Sequence, residues 1–147
     1  MIRCSDVMTN ETLSCLPGDS VEQVAQLLGL RGIGPVLVVE DHQTRKLAGI
    51  VTDRDLVQKI LAEGRDSKTT LVAEVMTAGV VTVRDNDDVQ KALDTMIDQQ
   101  LRRVPVVDSE SRIVGMVALT DVAQDPSVPQ ETTALVKVIH QAASAAQ

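Results

Sequence analysis

One ordered set of short motifs occurs twice in this 147-residue sequence. The matching segments are residues 6–9 with 74–77, 20–28 with 88–96 and 38–40 with 106–108, all at a shift of 68. At a shift of 66, residues 49–51 match 115–117 and Asp55 matches Asp121. The first copy therefore carries two extra residues between Glu40 and Gly49, where a hairpin turn can absorb them. Two similar units of about 60 residues usually stack about a pseudo-two-fold axis, so paired binding sites are expected.

The chain is long enough for one compact module, but each copy by itself is small. A chain of this length buries roughly 70% of its unfolded surface on folding, whereas half the length buries only about 60%. We therefore expect the two copies to depend on each other. The expected boundaries are 2–65 for the first repeat, 66–70 for the linker, 71–125 for the second repeat and 126–147 for a C-terminal helical tail.

Each copy predicts the same order of elements, β-α-β-β-α. Ser20 and Asp88 stand at helix N-cap positions, and apolar residues follow them at helical spacing. The first copy ends in a predicted helix over 53–62, with Gly64 as its stop signal. The fold class is therefore α/β, of the α+β kind: two pseudo-two-fold-related repeats, each a small mixed sheet packed with two helices. The apolar helix positions are Val21, Val24, Ala25 and Leu28, then Leu56, Val57, Ile60 and Leu61, and in the second copy Val89, Ala92, Leu93, Met96 and Ile97.

The second copy departs from the first at its prolines. Pro105 interrupts an apolar strand, and proline cannot donate to a strand ladder, so we expect an edge position or a strand start. Pro126 cuts the last helix to residues 121–124. After Pro129 a new amphipathic helix is predicted over 130–146.

Composition argues against several classes of function. The sequence contains no Phe, Tyr or Trp, so it lacks the aromatic rings on which single-stranded nucleic acids stack. The net charge of −7 would also repel a phosphate backbone, and we expect no nucleic-acid partner. A small nucleotide remains compatible, because salt screens a distant net charge beyond about 8–10 Å.

The sequence predicts a cytoplasmic protein without a membrane partner. Its first residues lack the apolar run of a signal peptide, and no stretch approaches the roughly 18 apolar residues of a membrane span. Cys4, Cys15, His42 and His140 match no zinc-ligand spacing, so we expect no metal site. Catalytic triads, nucleophile elbows and phosphate-binding glycine loops are missing as well, so we expect no enzyme and no required cofactor.

Three segments together carry a resemblance to a known family. They are Gly-Ile-Val-Thr-Asp-Arg-Asp at 49–55, the repeated Val-Met-Thr, and Arg-Val-Pro-Val-Val-Asp at 103–108. With these segments in order, residues 2–125 resemble a tandem pair of CBS (cystathionine-β-synthase-type) domains, often called a Bateman module. The resemblance implies a regulatory module that binds an adenine nucleotide (AMP, ADP or ATP) or related adenosyl ligand in clefts between the repeats. It also implies a homodimer and leaves room for an unidentified effector protein.

The resemblance also implies which residues bind the ligand. In the family motif an Asp accepts hydrogen bonds from both ribose hydroxyls, and a Thr or Ser contacts ribose or phosphate. An ionised carboxylate is acceptor-only, which suits a vicinal diol, and the backbone N–H groups at a helix start favour an anion. In the second copy Ala118 replaces the hydroxyl residue, which favours weaker binding there. The predicted ligand-binding set is Thr52, Arg54, Asp55, Asp121, Arg103, Ser14 and Thr82.

Simpler interpretations of the same residues stay open. Asp53 and Asp55 can be first-turn acids that complement a helix dipole, and Thr52 can be a plain N-cap. Arg102 and Arg103 can be a solvated pair before a strand. At the level of function, the alternative is a protein-interaction or dimerisation module with no physiological nucleotide, which the apolar stripe of the tail favours.

Overall fold

The structure is a computed structural model that describes residues 1–31, 34–129 and 131. Its elements, in chain order, are α1 (Cys4–Val7), β1 (Ser14–Cys15), α2 (Val21–Arg31), β2 (Val36–Val39), β3 (Leu47–Val51), α3 (Asp53–Leu56) continuing as a π-helical segment (Val57–Leu61), α4 (Val72–Val75), β4 (Val83–Arg84), α5 (Val89–Asp98), β5 (Arg103–Val107), β6 (Ile113–Ala118) and α6 (Leu119–Gln124). The β-α-β-β-α order is confirmed in both copies, and each copy gains one short helix that the sequence did not predict. The predicted tail helix over 130–146 falls almost wholly outside the described residues.

The described chain forms two compact units. The contiguous unit is Thr12–Val80, and the discontinuous unit joins Met1–Glu11 to the chain from Val81 onward. Each unit contains, in its described part, a three-stranded mixed sheet, in the orders β1-β2-β3 and β4-β5-β6. The first two strands of each sheet run parallel because a helix connects them, whereas a hairpin makes the last pair antiparallel. The α+β fold class is therefore confirmed.

Each unit is completed by a segment that the sequence assigns to the other repeat. In the contiguous unit, Thr77 and Ile50 exchange two backbone hydrogen bonds of 2.9 and 3.0 Å. In the discontinuous unit, Thr9 and Met116 do the same at 2.8 and 2.9 Å. The short helices α4 and α1, which precede these threonines, bury their valines and Cys4 in the same two cores. The spatial units are thus offset from the sequence repeats by about one short helix and one strand-like segment.

The motif glycines lie where these added segments cross the sheets. A Cβ on Gly49 would lie 2.8 Å from the carbonyl oxygen of Thr77, and a Cβ on Gly115 would lie 2.8 Å from that of Thr9. Real Cβ atoms do not approach backbone this closely, so both positions require glycine. Packing of the Val-Met-Thr segments accounts for the glycines without a ligand.

The prediction that Pro105 marks an edge strand or a strand start is wrong, because Pro105 lies inside β5, the central strand of its sheet. The equivalent residue in the other unit is Leu37. Its N–H donates to the carbonyl oxygen of Leu13, just before β1, at 2.9 Å. Proline has no N–H, so this bond is lost. Strand β4 accordingly begins at Val83, one position later than β1 does in its own repeat. The central strand thus tolerates a proline because its edge neighbour β4 begins one residue later, opposite Val106.

Helical periodicity predicted the buried faces only in part. Ile60 is buried, but Val57 and Leu61, which we expected on the same apolar face, are 55% and 77% exposed. The π-helical segment widens the turn at this point, so spacing based on 3.6 residues per turn misplaces these side chains. Ala25 and Ile97 are exposed as well. Gly64 has a φ of +67°, and the predicted stop is confirmed because the π-helical segment ends three residues before it. No helix among the described residues is long and apolar enough to cross a bilayer.

Candidate functional site

Thr52 and Asp55 form a reciprocal capping box at the start of α3. Strand β3 ends at Val51, and Thr52 keeps an extended backbone (φ −116°, ψ 166°) before the helix begins. The Asp55 N–H donates to Thr52 Oγ1 at 3.3 Å, and the Thr52 N–H donates to Asp55 Oδ2 at 2.9 Å. The Thr52 hydroxyl lies 3.2 Å from the same carboxylate oxygen. The N-cap interpretation of Thr52 is therefore present in the structure, with Asp55 as its reciprocal partner.

Asp55 also pairs with a cation one turn along the helix. Lys59 Nζ lies 3.3 Å from Asp55 Oδ1, and the same ammonium donates to the carbonyl oxygen of Val75 at 2.8 Å. The Asp55 side chain is 16% exposed and that of Lys59 is 38% exposed. An acid followed four residues later by a base is the helical spacing that favours such a pair, so Lys59 could have been found from the sequence.

The equivalent corner of the discontinuous unit is less complete. Strand β6 ends at Ala118, and α6 follows it directly. The Ala118 N–H donates to Asp121 Oδ2 at 3.3 Å, and the Thr9 hydroxyl lies 3.5 Å from that oxygen. Alanine has no polar side-chain atom, so it cannot accept the Asp121 N–H as Thr52 accepts that of Asp55. The second copy keeps the carboxylate half of the box and lacks the hydroxyl half.

An open cavity of about 160 Å³ lies at this corner, lined by Arg102, Arg103, Ala118, Leu119 and Thr120. It forms because Arg103 pairs with Ala118 in the ladder between β5 and β6, which brings the arginines to the start of α6. The backbone supports the same approach, since the Leu119 N–H donates to the Arg102 carbonyl oxygen at 3.0 Å. The cavity therefore combines cationic side chains with a helix start. Neither Leu119 nor Thr120 was predicted as a site residue.

The remaining predicted site residues are placed as follows. Arg54 is exposed in the first turn of α3, beside the capping box. Ser14 is half-buried on β1, and β2 separates it from β3, so it lies two strands from the Thr52 corner. Thr82 is half-buried just before β4, which β5 separates from β6 in the same way. The structure thus groups Thr52, Arg54 and Asp55 at one helix start and brings Arg103 to the helix that carries Asp121.

The two cysteines lack the properties of a reactive nucleophile. Both are buried, and burial raises the pKa of Cys4 to about 11 and that of Cys15 to about 12. Both thiols are therefore protonated near neutral pH, whereas a reactive cysteine needs a lowered pKa. Within residues 1–31, 34–129 and 131, no group of three or more His, Cys, Asp or Glu residues is arranged to hold a metal ion.

Comparison with known proteins identifies the family. The sequence model of the CBS domain matches residues 4–62 and again residues 72–138. The chain belongs to the CBS domain family. Its relatives include the CBS domain-containing protein YhcV of Bacillus subtilis, which is 33% identical over 142 residues, covering 96% of this chain and 98% of YhcV. They also include longer chains: this chain spans 62% of the length of an uncharacterized protein of Methanopyrus kandleri that is 28% identical.

Solved structures of similar chains share this CBS-pair fold. Hypoxic Response Protein I of Mycobacterium tuberculosis, solved with two coordinated zinc ions, has a TM-score of 0.75 and 31% identity, covering 84% of this chain and 98% of that one. The CBS domain pair of MJ0100, in complex with 5′-methylthioadenosine and S-adenosyl-L-methionine, has a TM-score of 0.71 and 27% identity, covering 84% and 98%. The cytosolic domain of the Mg²⁺ channel MgtE, in complex with ATP, has a TM-score of 0.69 and 33% identity, covering 82% and 47%.

Proposed function

We infer that this CBS pair is a regulatory module that binds an adenine nucleotide or another adenosyl ligand. The observation that carries the proposal is the cavity at the start of α6, where Arg102 and Arg103 meet the helix that bears Asp121. Family membership supports it, since the MJ0100 pair and the MgtE domain both bind adenosine-containing ligands.

The chemistry of this corner suits a phosphorylated nucleoside. The Arg103 guanidinium is exposed and presents several N–H donors, which match phosphate oxygens in geometry and charge. Asp121 lies in the first turn of α6, and its carboxylate can accept hydrogen bonds from a ribose diol. Small-molecule sites usually enclose about 300–1,000 Å³. A cavity of about 160 Å³ therefore fits one part of a nucleotide, such as a phosphate, with the rest of the ligand lying outside it.

Regulation follows from differential binding. A ligand that binds one conformation of the module more tightly than another shifts the population towards that conformation. A partner that recognises the favoured conformation then responds to ligand concentration, and the available free energy is limited by the ligand's preference between the conformations. Neither a catalytic group nor a required cofactor enters this scheme.

A dye-reported thermal shift across AMP, ADP, ATP, S-adenosylmethionine and adenosine tests the proposal. A ligand at 100 times its Kd should stabilise the fold by about 2.7 kcal/mol, which raises the melting temperature by several degrees. Asp121→Asn keeps an acceptor for the Ala118 N–H but removes the charge, and it should weaken binding by roughly 10- to 150-fold. Asp98→Asn, at the exposed end of α5, makes the same change in net charge and should leave affinity unchanged.

Arg103→Met separates the phosphate contact from the ribose contact. This variant should weaken ATP or AMP binding about tenfold or more while leaving adenosine affinity unchanged, because only the phosphorylated ligands need the guanidinium. Failure of every ligand in the panel to shift the melting temperature would refute the proposed function.

Exposed apolar side chains favour a second candidate, a dimerisation module. Val57 and Leu61 lie on successive turns of one helix, and both are exposed. If a second copy covers them, Leu61→Asp should halve the mass that light scattering reports. Gln58→Asp adds the same charge to an exposed polar position of that helix and should leave the mass unchanged. A monomeric wild-type chain would exclude this candidate.

A further inference from the structure

Lys59 holds the carboxylate that the first repeat would offer to a ligand. Its ammonium lies between Asp55 Oδ1, at 3.3 Å, and the carbonyl oxygen of Val75, at 2.8 Å. Val75 is the last residue of α4, so its carbonyl belongs to a helix end that lacks an intrahelical donor. The lysine therefore makes an ion pair with one element and a hydrogen bond with another, and both contacts lie within the contiguous unit.

The contact with Lys59 limits how the Asp55 carboxylate can accept further hydrogen bonds. Each carboxylate oxygen can accept about two hydrogen bonds. Oδ2 of Asp55 already accepts from the N–H and the hydroxyl of Thr52, and the Lys59 ammonium forms an ion pair with Oδ1 at 3.3 Å. Oδ2 is therefore filled, which leaves Oδ1, beside the ammonium, for the two donors of a ribose diol. A diol that binds Oδ1 through both hydroxyls must therefore break the ion pair with Lys59.

The equivalent carboxylate in the second repeat, that of Asp121, differs from Asp55 in the contacts of its two oxygens. Oδ2 of Asp121 accepts from the Ala118 N–H and lies near the Thr9 hydroxyl. No hydrogen bond from a described residue to Oδ1 of Asp121 is present, so none of these residues has to be displaced from that oxygen. The repeat shift of 66 places Asp125 where the first copy has Lys59, so the second copy has an acid in place of this lysine.

We propose that Lys59 is a specificity-determining residue that keeps a ribose from Asp55 and confines the ligand to the Asp121 site. This inference rests on the proposed function, because it concerns which of two equivalent carboxylates the ligand uses. The chain then binds one nucleoside with appreciable affinity, and the first repeat serves as the scaffold. This assignment reverses the expectation from Ala118, which favoured weaker binding in the second repeat. It is supported by the arginines that line the cavity in the discontinuous unit.

Calorimetric titration of the full chain with adenosine tests the proposal, since adenosine carries the diol without a phosphate that Lys59 could bind. Lys59→Met removes the ammonium, and Lys59→Gln keeps a donor for the Val75 carbonyl without the charge. Both variants should expose a second class of sites, with affinity about 5- to 10-fold above that of the first repeat in the wild type. That gain is the size expected from removing a half-exposed ion pair and one hydrogen bond that the diol must otherwise break.

Three controls make the result specific. Lys91→Met removes another lysine that pairs with an acid four residues away at 3.3 Å, Asp87, and it should titrate as the wild type does. The new sites should survive in Lys59→Met combined with Asp121→Asn, because they do not use Asp121. They should also be lost with 2′-deoxyadenosine, which lacks the diol. Circular dichroism at each titration temperature verifies that every variant is folded.

The outcomes separate this inference from the proposed function. If both Lys59 variants titrate as the wild type does while Asp121→Asn still weakens binding, Lys59 does not govern site choice and the proposed function stands. If Asp55→Asn weakens wild-type binding as much as Asp121→Asn does, the first site is already in use and the inference is wrong. If neither adenosine nor ATP binds any variant, both proposals fail together.

Discussion

Gly49→Ala tests whether the fold depends on the close crossing of β3 by the segment that carries Thr77. The added Cβ would lie 2.8 Å from the Thr77 carbonyl oxygen and 2.9 Å from Met76 Sδ. The methionine side chain can turn away, but the carbonyl is fixed because it accepts the Ile50 N–H at 3.0 Å. Relieving the overlap must therefore shift the backbone of Ile50 or Thr77, which exchange two hydrogen bonds with each other.

The expected loss of stability follows from these contacts. Forcing a methyl group into a filled space costs about 1–3 kcal/mol. Stretching the two hydrogen bonds between Ile50 and Thr77 adds up to about 0.5–1.5 kcal/mol for each bond that is lost. We expect Gly49→Ala to lower the free energy of unfolding by about 2–4 kcal/mol.

Urea denaturation followed by far-ultraviolet circular dichroism measures this change, because the chain has no Trp or Tyr fluorescence. Gly29→Ala is the matched control: it lies in α2, and a Cβ there would meet no heavy atom within 4 Å among the described residues. Replacing a glycine in the interior of a helix by alanine should stabilise that variant by about 0.5–1 kcal/mol. If Gly49→Ala stays within about 0.5 kcal/mol of the wild type at an unchanged m-value, the close crossing is not what requires glycine.

Three further predictions concern boundaries, acid stability and thiol reactivity. A fragment of residues 12–80 should unfold cooperatively by circular dichroism, whereas a fragment of residues 2–65 should not, because it lacks α4 and the strand-like segment after it. A hydrogen bond from the Arg112 N–H holds the pKa of Asp108 below its ordinary value. The stability that this carboxylate adds to the fold is therefore present above about pH 4 and is lost as pH falls through the native pKa. Asp108→Asn should lower stability at pH 7 and reduce the dependence of stability on acid pH in urea titrations. Cys4, whose pKa burial raises to about 11, should react with iodoacetamide at neutral pH only after unfolding, as mass spectrometry can measure.

The sequence by itself determined the local features of this protein. Two copies of one pattern predicted the β-α-β-β-α order and the fold class, and the ordered motifs predicted the CBS family. Thr52 as an N-cap was one of the interpretations left open, and the spacing of Asp55 and Lys59 is that of a helical ion pair. These features depend on residues within about four positions of each other, so neighbouring side chains encode them.

The tertiary structure alone decided how distant segments combine. Residues 6–9 and 74–77 are nearly the same sequence, so no local signal states which sheet each one joins, and the exchange between repeats could not be predicted. The central place of Pro105 depends on how short β4 is, and the cavity beside Arg103 depends on a ladder between two strands. Which of two similar segments pairs with a given strand depends on the free energies of side-chain packing and loop closure. These free energies depend on the whole folded chain, so a local sequence pattern does not contain them.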